Sequence, residues 1–274
     1  VIIVNTIDEF IKERSKLNGS VGFVPTMGAL HKGHLSLIQH STSENEHTIV
    51  SIFVNPAQFL KGEDLNSYPR KEAADIEICR VAKVDILFMP TSDVMYDSDE
   101  LAILAPAISG YILDGASRPG HFGGMLQVVM KLLNLSKATN AYFGKKDAQQ
   151  LSLISSMVKH YFINVNIVPC EIVRDKDGLA LSSRNIYLSN EEREKALSIP
   201  NSLKLATQLI IGGETNCAII KQKITEVMSG NITIDYVEIV DRKFCMIDKI
   251  VPKDTIILIA ARIGTTRLID NMWV

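Results

Sequence analysis

The chain has 274 residues, of which 46% are hydrophobic and 22% charged, with a formal net charge of -2. That length buries a large core and suits two domains of ordinary size, while the balanced charge excludes the basic excess of a general nucleic-acid binder. No uninterrupted apolar run approaches the roughly 18 to 20 residues of a membrane span, and the first residues lack a basic segment followed by an apolar signal core, so a protein neither secreted nor inserted is expected.

In chain order, the first two-thirds alternates short β-rich runs with helical patterns, the signature of βαβ units and a parallel sheet. The strand candidates are "VGFV" (21–24), "TIVSIFV" (48–54), "VDILFM" (84–89), "AYF" (141–143) and "NVNIV" (164–168). Helices are expected over 34–46, 71–82 and 147–160. Another is expected over 122–135, where Phe122, Leu126, Val129, Met130 and Leu133 recur on one helical face.

After about residue 172 the texture changes. Ser189 followed by Glu192 is a capping-box pattern that launches a helix toward Gly212, with Pro200 expected to kink or split it. A second helix is expected to end near Gly230, followed by strands over 232–240 and 255–260. The expected organisation is therefore a Rossmann-like α/β domain over 1–172 and a smaller α+β domain over 173–274. There is no internal repeat and no low-complexity tract.

Cys79, Cys170, Cys217 and Cys245 form no C-x-x-C pair and no zinc spacing, so they read as reduced, packed thiols of a cytoplasmic protein. The chemistry concentrates elsewhere. "PTMGALHKGH" (25–34) follows the first strand candidate, where an open α/β sheet places its ligand crevice and where a helix N-terminus offers N–H groups to an anion. Gly28 and Gly33 permit close backbone approach, and His31 and His34 supply donors for phosphate oxygens. Far downstream, "LALSSRN" (179–185) follows a turn expected at Asp177-Gly178 and offers two hydroxyls and the Arg184 guanidinium to a polyphosphate.

An H-x-G-H turn with a later basic and hydroxyl-rich loop resembles the nucleotidylyltransferase and class I aminoacyl-tRNA synthetase superfamily. The narrower resemblance is to the pantothenate synthetase family. It is carried by "PTMGALHKGH", "FVNPAQF" (53–59), "SYPR" (67–70), "RPGHFGG" (118–124), "YFGKKDAQQL" (142–151) and "GLALSSRNIYLS" (178–189), all in the family's order. The resemblance is dense from about residue 21 to 190 and looser beyond.

That resemblance implies ATP-dependent joining of pantoate and β-alanine through a pantoyl adenylate, in a cytoplasmic homodimer with magnesium on the triphosphate and no assigned protein ligand for the metal. It places ATP along Thr26, Met27, Gly28, Ala29, Leu30, His31, Lys32, Gly33 and His34, along Gly144, Lys145, Lys146 and Asp147, and along Val173, Leu181, Ser182, Ser183 and Arg184. Lys145 stands where many members have Glu and is expected outside direct contact. Pro25, Asn55, Gln58, Arg118 and Gln150 are implied on the pantoate and β-alanine side, and His34, His31, Lys146 and Arg184 as the catalytic set.

The amides of Asn55 and Gln58 are expected to point into the crevice, where they suit a hydroxy acid. A nucleotidylyltransferase acting on a phosphate ester would need further cations, which "FVNPAQF" does not supply. A silent nucleotide-binding scaffold is disfavoured by the complete cationic set, and RNA recognition by the net charge. Asp93, Asp97, Asp99 and Glu100 read as a solvated acidic run.

Overall fold

A computed structural model describes residues 1–230 and 232–274. The chain divides into two compact units, one comprising Val1–Lys145 with Leu153–Glu171, the other Lys146–Ser152 with Ile172–Val274.

The first unit opens with β1 (Ile2–Val4) and α1 (Ile7–Arg14), whose start is set by the reciprocal capping box of Thr6 and Glu9. Then come β2 (Val21–Thr26), α2 (Lys32–Glu44), β3 (His47–Ile52), α3 (Glu72–Val81) and β4 (Ile86–Phe88). Two short helices, α4 (Ser92–Met95) and α5 (Asp114–Ser117), precede the long apolar α6 (His121–Ser136). β5 (Asn140–Gly144), α7 (Ala148–His160), whose residues up to Ser152 fall in the second unit, and β6 (Asn166–Cys170) complete the alternation.

The six strands pair in the order β1-β4-β3-β2-β5-β6, every pair parallel. The inner strands β2 to β5 are mostly buried, as parallel strands covered on both faces are, whereas the edge strands β1 and β6 are more exposed. Val24, Val50, Leu87 and Tyr142 from four strands share one core cluster with Ile38 of α2 and Cys79 of α3.

Successive strands from β2 run outward to one side through β3 and β4, whereas β5 and β6 run outward to the other. The switch in direction falls between β2 and β5, which is where an open α/β sheet leaves a crevice beyond its strand ends. The chain leaves β2 into the 25–34 turn and leaves β5 into Lys145.

The second unit begins with a hairpin closed by a turn at Asp177 and Gly178, the latter at φ +92°. It continues through α8 (Asn190–Ala196), α9 (Ser198–Ile211) and α10 (Cys217–Met228) to an antiparallel sheet β7 (Thr233–Asp241), β8 (Thr255–Ile263) and β9 (Thr266–Trp273). Ser189 and Glu192 form the capping box read from sequence. The helical run breaks at Leu197, three residues before Pro200, which sits in the first turn of α9, where its missing N–H is harmless. Ile199, Ile220, Ile224, Ile257 and Ile259 form the unit's own core.

Candidate active site

The turn after β2 is built from backbone outward. Gly28 takes φ +83° and Ala29 φ +49°, so two consecutive residues adopt left-handed geometry and the chain doubles back. A Cβ at Gly28 would lie 3.0 Å from Ile52 Cγ2 and 3.2 Å from Asp75 Oδ2, so side chain and conformation both select glycine there. The Thr26 hydroxyl donates to the Ser51 carbonyl at 2.9 Å and accepts from Gly28 N–H at 3.2 Å. Asp75, 2% exposed at the start of α3, accepts from Ala29 N–H at 2.8 Å and Leu30 N–H at 2.7 Å. Burial pushes its carboxyl up, and those two N–H groups partly offset the push.

The two histidines form an unusual helix cap. His31 is the N-cap of α2, its Nδ1 accepting from Gly33 N–H at 3.1 Å, and His34 Nδ1 accepts in return from His31 N–H at 3.4 Å. The rings stack with centroids 4.1 Å apart. Because each Nδ1 accepts from a backbone N–H, each neutral ring carries its proton on Nε2. The pair therefore presents N–H edges at a helix N-terminus, where the backbone already favours an anion.

Beyond β3, Asn55 caps a 3-10 turn over Pro56–Gln58. Asn55 is 1% exposed, and both ends of its amide are engaged within the protein. Its oxygen accepts from Ala57 N–H (3.2 Å) and the Tyr96 hydroxyl (2.8 Å), while its nitrogen donates to Gly124 O (3.1 Å) and Gln58 Oε1 (3.2 Å). Gln58, 8% exposed, turns its NH2 to the Met27 thioether at 2.9 Å.

The backbone carbonyl of Gln58 is held as well. It accepts from Arg118 Nη2 at 3.2 Å and from His121 Nδ1 at 2.6 Å. Arg118 grips Glu63 with two hydrogen bonds of 2.6 Å and donates to His121 Nε2 at 3.0 Å. Burial, reinforced by the adjacent guanidinium, pushes the His121 imidazole down to about 4, so it stays neutral, as a ring donating at Nδ1 and accepting at Nε2 must be. Burial alone would raise the Glu63 carboxyl, but Arg118 holds it below the usual range.

Lys145, in the first unit, pairs with Glu171. Glu100, read from sequence as solvated, instead turns inward to Lys131 at 2.5 Å, because Lys131 on α6 supplies a counterion that the sequence pattern did not reveal.

In the second unit, Lys146 lies 3.8 Å from Asp147 and its carbonyl accepts from Asn271 Nδ2 at 2.7 Å. Gln150 is half-buried on α7. Leu181 N–H donates to Val173 O at 3.0 Å, fixing the base of the hairpin. The Ser182 hydroxyl caps the 3-10 turn over Ser183–Tyr187 by accepting from Arg184 N–H at 3.3 Å. Arg174 pins the hairpin to β9 through Asp270, at 2.6 and 2.9 Å.

Asp75, Tyr96 and Glu63 were not singled out by sequence. Each acts over more than 40 residues of chain on a group that was, and no local pattern signals such a partner.

A parallel sheet with a phosphate-suited imidazole pair at its switch point defines a Rossmann-like, nucleotide-using enzyme of the H-x-G-H type. The chain belongs to the pantoate-beta-alanine ligase family, whose model matches residues 2–273. The pantothenate synthetase of Aliarcobacter butzleri is 56% identical over 271 residues, covering 99% of both chains. The crystal structure of pantothenate synthetase from Thermus thermophilus superposes with a TM-score of 0.95 at 37% identity, covering 100% of this chain and 99% of that one. Pantoate-beta-alanine ligase from Francisella tularensis, complexed with beta-gamma ATP and beta-alanine, gives a TM-score of 0.83 at 39% identity, covering 100% of this chain and 97% of that one.

Proposed function

We propose the following division of labour among this chain's residues for its family's reaction. That reaction is the ATP-dependent ligation of pantoate and β-alanine to pantothenate through pantoyl adenylate, releasing AMP and pyrophosphate. The observation that carries the assignment is the stacked His31–His34 cap, which sets two Nε2–H edges beside a helix N-terminus.

In the first step the pantoate carboxylate attacks the α-phosphorus of ATP. A carboxylate is already a nucleophile at neutral pH, so the step needs positioning and stabilisation of phosphate charge rather than a base. His31 and His34 donate to phosphate oxygens; Lys146, Ser182, Ser183 and Arg184 supply further charge and hydrogen bonds. Backbone from Thr26 to Gly33, with Gly144 to Asp147, Val173 and Leu181, receives the nucleotide.

In the second step the β-alanine amine attacks the acyl carbon and AMP leaves. Gln58 and Gln150 hold pantoate and its adenylate, beside Pro25. Arg118 acts on this side by fixing the Gln58 backbone and Glu63.

The division into an ATP- and pantoate-binding domain over 1–172 and a lid domain over 173–274 belongs to the same reading. Magnesium enters with ATP, as part of the substrate. Magnesium prefers oxygen ligands, which the triphosphate supplies, and keeps several waters, and among the described residues no group of three or more His, Cys, Asp or Glu is arranged to hold a metal ion.

A homodimer fits the exposed apolar side chains of Leu101, Leu104 and Ile108, which one chain leaves in water. A cytoplasmic setting fits four free cysteines, three of them buried. No helix among the described residues is long and apolar enough to cross a membrane.

The test is incubation with ATP, magnesium and pantoate, with and without β-alanine. Pantothenate and AMP accumulate in equal amounts when β-alanine is present, and His34→Ala abolishes both. AMP formation that ignores pantoate would overturn the assignment.

A further inference from the structure

The amide of Asn55 has a fixed polarity, and that polarity propagates. Its oxygen lies against the Ala57 N–H, which can only donate, and its nitrogen against the Gly124 carbonyl, which can only accept. Two backbone groups thus settle which end of Asn55 is which. The end of Gln58 that meets Asn55 Nδ2 must then be the carbonyl, and the Tyr96 hydroxyl that meets Asn55 Oδ1 must donate.

Tyr96 is itself held in place. Lys131 lies 4.6 Å from its ring centroid and Phe53 packs at 6.2 Å. Burial, with Glu100 nearby, pushes its phenol up to about 12, so the proton it donates is present throughout the neutral range.

What remains of Gln58 is its NH2, resting on the Met27 sulfur, a weak acceptor that an oxygen displaces readily. We propose that Asn55 and Tyr96 are positioning residues that lock Gln58 with its NH2 end turned to substrate, and that the group this NH2 meets is therefore an acceptor oxygen of pantoate. The polarity selects an oxygen that can accept, whether of a carboxylate, acyl or hydroxyl group, and discriminates against an ammonium group, which can only donate.

This inference rests on the reading that Gln58 touches pantoate, and the experiment separates the two. Pantoate dissociation constants by calorimetry and KM values for pantoate and ATP are measured for Tyr96→Phe, Asn55→Asp, Gln58→Ala and the double variant Tyr96→Phe/Gln58→Ala, with thermal melting of each. Asn55→Asp places an acceptor against Gln58 and reverses its polarity; Tyr96→Phe removes one hydroxyl and is the safeguard should the first not fold.

Tyr96→Phe is expected to raise the pantoate KM three- to tenfold and Asn55→Asp more than tenfold, with the ATP KM within twofold. On the Gln58→Ala background the Tyr96→Phe effect on pantoate binding should shrink below twofold, since Tyr96 acts through Gln58. If Gln58→Ala leaves pantoate binding unchanged, the substrate role of Gln58 falls. If Gln58→Ala weakens pantoate but Tyr96→Phe does not, or weakens it equally in both backgrounds, the positioning proposal alone is overturned.

Discussion

Asp75 and Leu30 are 45 residues apart, yet the Asp75 carboxylate accepts the Leu30 N–H at 2.7 Å and the neighbouring Ala29 N–H at 2.8 Å. The carboxylate closes a turn whose Gly28 and Ala29 both sit at positive φ, and the next residue is the His31 cap. Asp75→Asn keeps the shape but has one acceptor where two N–H groups need partners. A hydrogen bond to a charged group contributes about 1.5–3 kcal/mol, so urea unfolding should show a loss of roughly that size. The ATP KM should rise about tenfold, since 1.4 kcal/mol is a factor of ten in affinity. Unchanged stability and ATP KM would dissolve the link between this carboxylate and the turn.

The histidine cap has separable parts. Asn at position 31 can still accept from Gly33 N–H but lacks the distant Nε2–H, whereas Ala loses both. His31→Ala should cost about 1 kcal/mol of stability through the cap. His31→Asn should unfold like the parent yet be as deficient in turnover as the Ala variant. Removing an oxyanion donor typically lowers kcat about 10² to 10³-fold, the range expected for either variant.

Gly124 is required by close approach rather than by its dihedral angles. A Cβ there would lie 2.0 Å from the Ala57 carbonyl oxygen and 2.3 Å from its carbon, both backbone atoms that cannot swing aside. Gly124→Ala should push the 3-10 turn away from α6 and cost about 1–3 kcal/mol, the usual range for overpacking. Pantoate affinity should fall with it, because Gly124 O also orients Asn55. Calorimetric melting and pantoate titration on the same sample check both halves.

How much of this was legible in the sequence depended on whether the signal was local. The five strand candidates and the helices between them lie within a few residues of the observed elements, because apolar runs and caps such as Ser189–Glu192 are local. β1, α1, α4, α5 and β9 lie outside the expected elements. β1 is only three residues long and finds its place by pairing with β4, 84 positions on. The two-histidine turn and the "LSSRN" loop stand out in the sequence as candidates for phosphate binding, because their glycines, imidazoles, hydroxyls and arginine lie in short local runs. The distant partners are not legible: Asp75, which holds the histidine turn, Tyr96, which holds Asn55, and Glu63, which holds Arg118, show no spacing relative to the groups they hold.

His121 makes a pH dependence. Its folded value is lowered from 6.5 to about 4 by burial and then by Arg118, so between those values the unfolded chain binds a proton that the folded chain does not. Stability therefore rises with pH across this window and is lost as pH falls from about 6.5 toward 4, by up to about 3 kcal/mol at 1.4 kcal/mol per unit. His121→Gln has no such proton to gain. Urea midpoints measured from pH 7 to 4 should fall less steeply for the variant; parallel curves would contradict a neutral, buried His121.

The most direct test of the central claim follows an oxygen atom. In the proposed first step a pantoate carboxylate oxygen becomes the bridge to the α-phosphorus, and when the amine expels AMP that oxygen leaves on the phosphate. With pantoate labelled by ¹⁸O in its carboxylate, turnover with ATP and β-alanine should deliver one ¹⁸O into each AMP, seen by mass spectrometry or as a shifted phosphorus resonance. Pantothenate formed beside unlabelled AMP, with the lost ¹⁸O recovered in water or in pyrophosphate, would show that pantoate never attacks the α-phosphorus, and the account would fall.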